Sequence, residues 1–156
     1  MLQLKAKIAY NKKAGYKYRQ MSIIAPKIAG DCLPGQFLNV KIDGNSELLL
    51  RRPFSIHRAS GPRIEILYEV LGKGTQALSV KKAGEYLDVI GPLGNGFDYK
   101  PQARSHKSQV IVAGGMGVAP LVFLAEKIKS TSLVLIGAKT KDDVLCEKEF
   151  KKLGCA

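Results

Sequence analysis

Residues 109–121 read Gln109-Val110-Ile111-Val112-Ala113-Gly114-Gly115-Met116-Gly117-Val118-Ala119-Pro120-Leu121. The run from Gln109 to Ala113 is short and almost wholly apolar, the kind of strand buried in a parallel sheet. The glycines that follow let backbone approach a ligand closely. A helix beginning after them presents free N–H groups to an anion. Pro120 suits a first helical turn, where its missing N–H is not needed. Leu121, Leu124, Ala125 and Ile128 recur at helical spacing, so a helix is expected from Val118 to Lys129. Ser132 to Gly137 reads as a second buried strand and Lys141 to Lys152 as another helix. Strand, glycine turn, helix, strand, helix is a βαβα unit. The turn is not the usual G-x-G-x-x-G, because Pro120 stands at the last position counted from Gly115. A tight structural turn is the competing reading.

Upstream, residues 1–99 read as β structure. Leu2 to Ala9 alternates apolar and polar, and so does Tyr16 to Ile24 after a lysine-rich turn over Asn11 to Gly15. Gln36 to Ile42 follows Pro34-Gly35, and Gly44-Asn45 is a turn signal. Arg63 to Val70 and Glu85 to Ile90 are further strand-like runs. Many short strands with frequent turns indicate a small barrel or sandwich. Within this stretch only Thr75 to Lys82 has the pattern of a short helix. Lys100 to Gln109 is polar, contains Pro101 and reads as a linker. The organisation expected is a β-barrel domain over 1–99 followed by an α/β domain over 108–156. A doubly wound domain usually has five or six strands, and only two are encoded here. So short a segment leaves both faces and an edge of its sheet open, and the domain is expected to be incomplete.

The chain has 156 residues, of which 46% are hydrophobic and 24% charged, with a formal net charge of +12. That apolar fraction belongs to a folded domain rather than a disordered one. No uncharged apolar run of about 18 residues is encoded, so no membrane helix is expected. Met1 to Lys5 alternates like a strand and lacks the apolar core of a signal peptide, which points to the cytoplasm. Cys32, Cys146 and Cys155 are widely spaced with no Cys-x-x-Cys pair, arguing for free thiols and against a zinc or iron–sulfur site of this chain's own. The positive charge fits a polyanionic ligand such as a dinucleotide, an acidic partner or nucleic acid. No block of five or six like charges and no stacking cluster is present, which disfavours nucleic acid.

Three further motifs carry possible chemistry. In Arg51-Arg52-Pro53-Phe54-Ser55-Ile56-His57, an arginine before proline is held extended and its guanidinium is a bidentate donor for phosphate. Leu67-Tyr68-Glu69-Val70-Leu71-Gly72-Lys73-Gly74-Thr75 is a strand running into a glycine-rich anion nest. Gly91-Pro92-Leu93-Gly94-Asn95-Gly96-Phe97 is a glycine loop with one aromatic. Each alone has a plain alternative, a solvated arginine pair or a surface loop. His57 and His106 have no triad context.

Taken together and in order, Arg-Pro-Phe-Ser-Ile, Gly-Lys-Gly-Thr, Gly-Pro-Leu-Gly-Asn-Gly-Phe and Gly-Gly-Met-Gly-Val-Ala-Pro-Leu resemble the ferredoxin reductase-type flavoproteins, covering Leu2 to about Phe150. Within them the wording is most similar to the electron transfer subunits of dihydroorotate dehydrogenase B. The resemblance implies an FAD-binding β-barrel followed by an α/β domain that receives NAD(H). It implies that Arg52 pairs with the FAD pyrophosphate and that Pro53 and Phe54 line the flavin. By the same resemblance, Ser55 stands near the hydride-accepting flavin nitrogen and is the catalytic candidate. Leu67, Tyr68 and Glu69 would run along the flavin and ribityl chain, and Gly74 and Thr75 would hold pyrophosphate oxygens. Gly114, Gly115 and Gly117 would leave room for the nicotinamide nucleotide. The function implied is electron transfer from NADH through FAD towards a [2Fe–2S] centre and a partner dehydrogenase subunit in pyrimidine biosynthesis. The cysteine-rich segment that binds this cluster in the family is absent from the sequence, and so is an acidic residue near Gly137-Ala138-Lys139 to hold a ribose hydroxyl. The choice between NAD and NADP is left open. A related reductase subunit, of the sulfhydrogenase or ferredoxin–NADP oxidoreductase type, and a basic binding module that has lost its flavin are the alternatives.

Overall fold

A computed structural model describes residues 1–42, 49–99, 109–128 and 132–156. Six strands close into an antiparallel barrel: β1 (Leu2–Lys13), β2 (Tyr18–Ile24), β3 (Phe37–Lys41), β4 (Arg52–Ser60), β5 (Arg63–Glu69) and β6 (Tyr86–Leu93). Their order around the barrel is β1-β2-β5-β4-β3-β6. Period-two alternation explains the interior, because every second residue of a strand points to one face. Ala6 and Ile8, Met21 and Ile23, Leu38 and Val40, Phe54 and Ile56, Ile64 and Ile66, and Leu87 and Val89 supply two core side chains per strand. A short helix, α1 (Pro26–Asp31), packs on β4, β5 and β6 and buries Ile28. A second, α2 (Lys73–Ser79), follows β5 and buries Leu78.

Downstream, β7 (Gln109–Gly114) and β8 (Ser132–Gly137) pair in parallel, with Gln109 opposite Ser132 and Gly114 opposite Gly137. A 3-10 turn over Gly115–Val118 leads into α3 (Ala119–Ile128). A second 3-10 turn, Lys141–Asp143, precedes α4 (Glu147–Lys152). Helix α3 fills the space between the sheet and the barrel. Its Phe123 enters the barrel-side core, while Ala119, Val122 and Ala125 join a second core with Tyr18 and Leu67 of the barrel. The two parts therefore share side chains across a continuous apolar contact. Among the described residues, no helix is long and apolar enough to cross a membrane.

Several elements differ from the sequence reading. β1 runs through Asn11 to Lys13, where a turn is expected, because its lysines lie on the outer face and cost nothing in burial. The run Arg52–Ser60 is a full strand although Pro53 sits inside it. Pro53 lacks an N–H, and a proline is tolerated where the ladder does not need one. Helix α1 is unexpected: Pro26 occupies its first turn, and six residues are too few for an apolar period. Helix α2 begins two residues earlier than expected. The helix expected over Lys141 to Lys152 is broken, because Cys146 takes a left-handed conformation (φ 64°) between the 3-10 turn and α4. The free edge of β8 is also partly paired: the Val134 N–H donates to the Ala156 carbonyl (2.8 Å), and the Ala156 N–H donates to that of Ser132 (3.0 Å). The outer face of the sheet stays open, with Val110, Val112, Leu133 and Leu135 exposed. Gly44-Asn45, His106 and the linker from Lys100 to Ser108 lie outside the described residues.

Candidate functional site

Strands β4 and β5 are neighbours in the barrel, and their adjoining ends meet the glycine turn after β7. Between them lies a cleft of about 330 Å³ lined by Pro53, Phe54, Ser55, Leu67, Tyr68 and Glu69 of the barrel. Met116 and Ala119, from the turn and the start of α3, form its other wall. Three of the sequence motifs thus converge on one concavity. Its lining is mostly apolar. Phe54 and Tyr68 pack edge to face, with ring centroids 5.6 Å apart, an arrangement aromatic pairs prefer. The Tyr68 hydroxyl donates to Asn11 Oδ1 at 3.1 Å, and burial raises its pKa. That commitment leaves Ser55 as the other side-chain hydroxyl lining the cleft.

Glu69 carries the cleft's negative charge. Lys17 lies 2.8 Å from it and 3.2 Å from Asp143. The Tyr18 hydroxyl donates to Asp143 at 2.8 Å, and the hydrogen bonds from Tyr18, Thr140 and Lys17 hold the Asp143 carboxyl below the usual range. This network ties the 3-10 turn at Lys141–Asp143 to the barrel beside the cleft.

Arg52 leaves the same strand end towards α2. A Cβ placed on Gly74 would stand 2.8 Å from Arg52 Nε and 3.3 Å from its Cζ, so the guanidinium lies against bare backbone. Only a glycine allows that approach. The Thr75 hydroxyl accepts from the N–H groups of Leu71 (2.9 Å) and Gly72 (3.2 Å), so it fixes the turn rather than pointing outward. Arg51 faces elsewhere, donating to the Asp88 carbonyl (3.0 Å) and carboxylate (2.9 Å).

The glycine turn is open. Among the described residues nothing lies within 4 Å of a Cβ built on Gly114, Gly115 or Gly117, and Gly115 has φ +49°. By contrast, the loop Gly94–Phe97 packs on its own chain: a Cβ on Gly96 would lie 2.7 Å from that of Leu33, and the Phe97 N–H donates to Pro34 at 2.8 Å.

His57 was not expected to matter. In the β4–β5 pairing Ile56 faces Ile66 and Arg58 faces Glu65, so His57 is the extra residue of a bulge. A bulge re-aims one side chain, and here both Ile56 and His57 are buried, Ile56 within the barrel core. Nδ1 of His57 donates to the Ala119 carbonyl at 2.7 Å, and Nε2 has no partner among the described residues. Burial lowers its pKa, keeping the ring neutral. The next residue, Arg58, pairs with Glu126 at 2.6 Å. Consecutive residues of β4 therefore hold both ends of α3. No spacing rule reveals this, because the bulge is a tertiary feature.

Comparison with known proteins places this arrangement. The NADH-dependent reduced ferredoxin–NADP oxidoreductase, from a structure concerned with flavin-based electron bifurcation, superposes with a TM-score of 0.81 at 26% identity, over 97% of this chain and 54% of that one. Ferredoxin–NADP⁺ reductase from Plasmodium falciparum (TM-score 0.81, 14% identity, 97% of this chain, 65% of that one) and phthalate dioxygenase reductase (0.74, 20%, 99% and 50%) share the fold. The barrel with its appended α/β unit is the ferredoxin reductase-type flavoprotein fold. No family model matches the chain. The sequence relatives are more particular. The electron transfer subunit of dihydroorotate dehydrogenase B (NAD⁺) from Desulforamulus reducens is 42% identical over 135 residues, 83% of this chain and 50% of that protein. Those of Fusobacterium nucleatum subsp. nucleatum (37%, 78% of this chain, 48% of that protein) and Bacillus pumilus (39%, 77% and 48%) are also similar. The chain is a homologue of these subunits and spans about half of their length.

Proposed function

We propose that this chain is the flavin-binding part of an electron transfer subunit, which passes electrons from NADH through FAD towards an iron–sulfur centre and a dihydroorotate dehydrogenase partner. The observation that carries this reading is the convergence of Pro53, Phe54, Ser55, Leu67, Tyr68 and Glu69 with Met116 and Ala119 on one mostly apolar cleft. A cleft of that volume and lining, apolar with the hydroxyl of Ser55 and the carboxylate of Glu69 at hand, fits a ring system with polar edges. Bound there, FAD supplies acceptance of hydride from a nicotinamide and release of single electrons, chemistry the side chains alone do not have.

The chain's own residues position it. Pro53, Phe54, Leu67 and Tyr68 exclude water from the ring, and Ser55 presents a hydroxyl to its edge. Arg52 and the bare backbone of Gly74 form a positive cradle for a pyrophosphate, with Thr75 holding the turn that shapes it. Gly114, Gly115 and Gly117 keep backbone clear for a nicotinamide nucleotide. In domain terms, residues 1–99 bind FAD and 108–156 begin the nucleotide-binding unit. A cytoplasmic hetero-oligomer with the dehydrogenase subunit completes the proposal. The net charge of +12 suits anionic cofactors.

The test is to purify the protein, measure its flavin absorbance and identify the cofactor released on denaturation. The reading expects about one FAD per chain, bleached by NADH in the intact subunit and reoxidised by a dihydroorotate dehydrogenase subunit. Reoxidation by ferredoxin alone would favour the ferredoxin–NADP oxidoreductase type. A colourless protein that takes up no FAD in a titration would rule the reading out.

A further inference from the structure

Behind the bulge, the barrel and the α/β unit bring together three side chains that the function above does not use. One imidazole nitrogen of His57, the thiol of Cys146 and a carboxylate oxygen of Glu149 all lie within 4.8 Å of one another. They come from β4, from the left-handed residue before α4 and from the first turn of α4. We propose that His57, Cys146 and Glu149 form a binding site for a zinc-class divalent cation that staples α4 to the barrel.

Four observations support the assignment. His57 is only 1% exposed, yet among the described residues its Nε2 finds no hydrogen-bond partner. An unpaired buried polar atom costs free energy unless something unseen satisfies it. Its Nδ1–H is already given to the Ala119 carbonyl. Metal-bound histidines make such a second bond, which fixes the tautomer and aims the other nitrogen's lone pair. The donor set is one imidazole nitrogen, one sulfur and one carboxylate oxygen, a combination zinc accepts. Tetrahedral zinc with bonds of about 2.0–2.3 Å separates its ligands by roughly 3.3–3.8 Å, so the three atoms need close by only about 1 Å.

The left-handed turn at Cys146 has a reading in these terms. Cys146 turns the chain at the N-cap of α4, and Glu149 follows three residues on, so this one turn brings both ligand atoms within reach of His57. An entry path exists as well: Glu149 lines a surface cleft of about 390 Å³ with Tyr10, Arg58, Glu65, Lys148 and Lys152. Arg58, which also lines that cleft, is occupied by Glu126 and Glu65. Coordination would release the Cys146 thiol proton to solvent, giving a neutral cluster of one dication, one thiolate and one carboxylate. The fourth position would face the cleft and hold water.

The test uses the intact protein, stripped with a chelator and titrated with Co²⁺, read as a difference spectrum so that any flavin is a constant background. The site predicts one equivalent bound, with visible bands of tetrahedral intensity and a near-ultraviolet thiolate-to-cobalt band. Stoichiometric Zn²⁺ should abolish these bands. Cys146→Ser should remove the thiolate band, and His57→Gln or Glu149→Gln should weaken Co²⁺ binding by at least about 10–100-fold, the scale of losses even for outer-shell changes. Cys32→Ser and Cys155→Ser should leave it intact. The wild-type spectrum needs no variant to fold. Absence of a thiolate–cobalt band in it, or its survival in Cys146→Ser, overturns the site.

Discussion

The guanidinium of Arg52 rests on Gly74, with Nε 2.8 Å from where that residue's Cβ would be. The two residues are a unit: the strand supplies the charge and the glycine supplies the room. Gly74→Ala should therefore displace Arg52 and weaken FAD retention. Gly72→Ala is the control, because nothing lies within 4 Å of its Cβ and its φ of −139° suits any residue. Equal flavin content in both variants would separate Arg52 from cofactor binding.

Arg52→Ala should lower FAD affinity about ten- to hundredfold, the value of a charge-assisted contact of roughly 1.5–3 kcal/mol. Arg51→Ala should not, because Arg51 is turned away into Asp88. Fluorescence titration of the apoproteins measures the contrast.

Arg51 has a different readout. Its guanidinium, helped by Gln3, holds the Asp88 carboxyl below the usual range against the opposing effect of burial. A carboxyl with a depressed folded pKa stabilises the fold above its unfolded value of about 3.9, and that contribution disappears as pH falls through the lower folded value. Arg51→Ala should thus cost roughly 0.2–1 kcal/mol at neutral pH. The gap between wild type and variant should shrink once Asp88 is protonated in both states. Urea midpoints at neutral pH and at pH 3 or below give the comparison, and an undiminished gap in acid would contradict it.

Burial predicts opposite outcomes for two apolar residues. Ile66 is 1% exposed in the barrel core, and Ile66→Ala should cost roughly 2–5 kcal/mol. Val112 is 71% exposed on the open face of β7. Val112→Lys should leave the thermal midpoint nearly unchanged and reduce self-association, because it breaks a contiguous apolar patch. Sedimentation velocity across a concentration series reads the second effect.

The barrel was largely legible because its core alternates: Met21 and Ile23, or Leu87 and Val89, announce a strand whatever surrounds them. Cofactor-motif residues such as Phe54 and Tyr68 were legible as words in order rather than as geometry. Helix α1 was hidden by brevity, and the interruption at Cys146 by a backbone angle that no composition rule demands of cysteine. His57 was illegible for a deeper reason. Its orientation depends on a register slip against β5, so its meaning is set by a strand it does not belong to.

Barrel closure imposes a schedule on synthesis. The seam that closes the barrel joins Leu2 to Gly91 and Lys7 to Tyr86, and it must wait for β6. On a ribosome adding about 5–20 residues per second, β1 emerges roughly 4–16 s before β6 exists to cover its outer edge. During that interval the β1–β2 hairpin travels with one row of amides unpaired, guarded by the charges of Lys5 and Lys7 along the same strand. The lysines of β1 are then as much a protection for the nascent chain as a surface of the finished one.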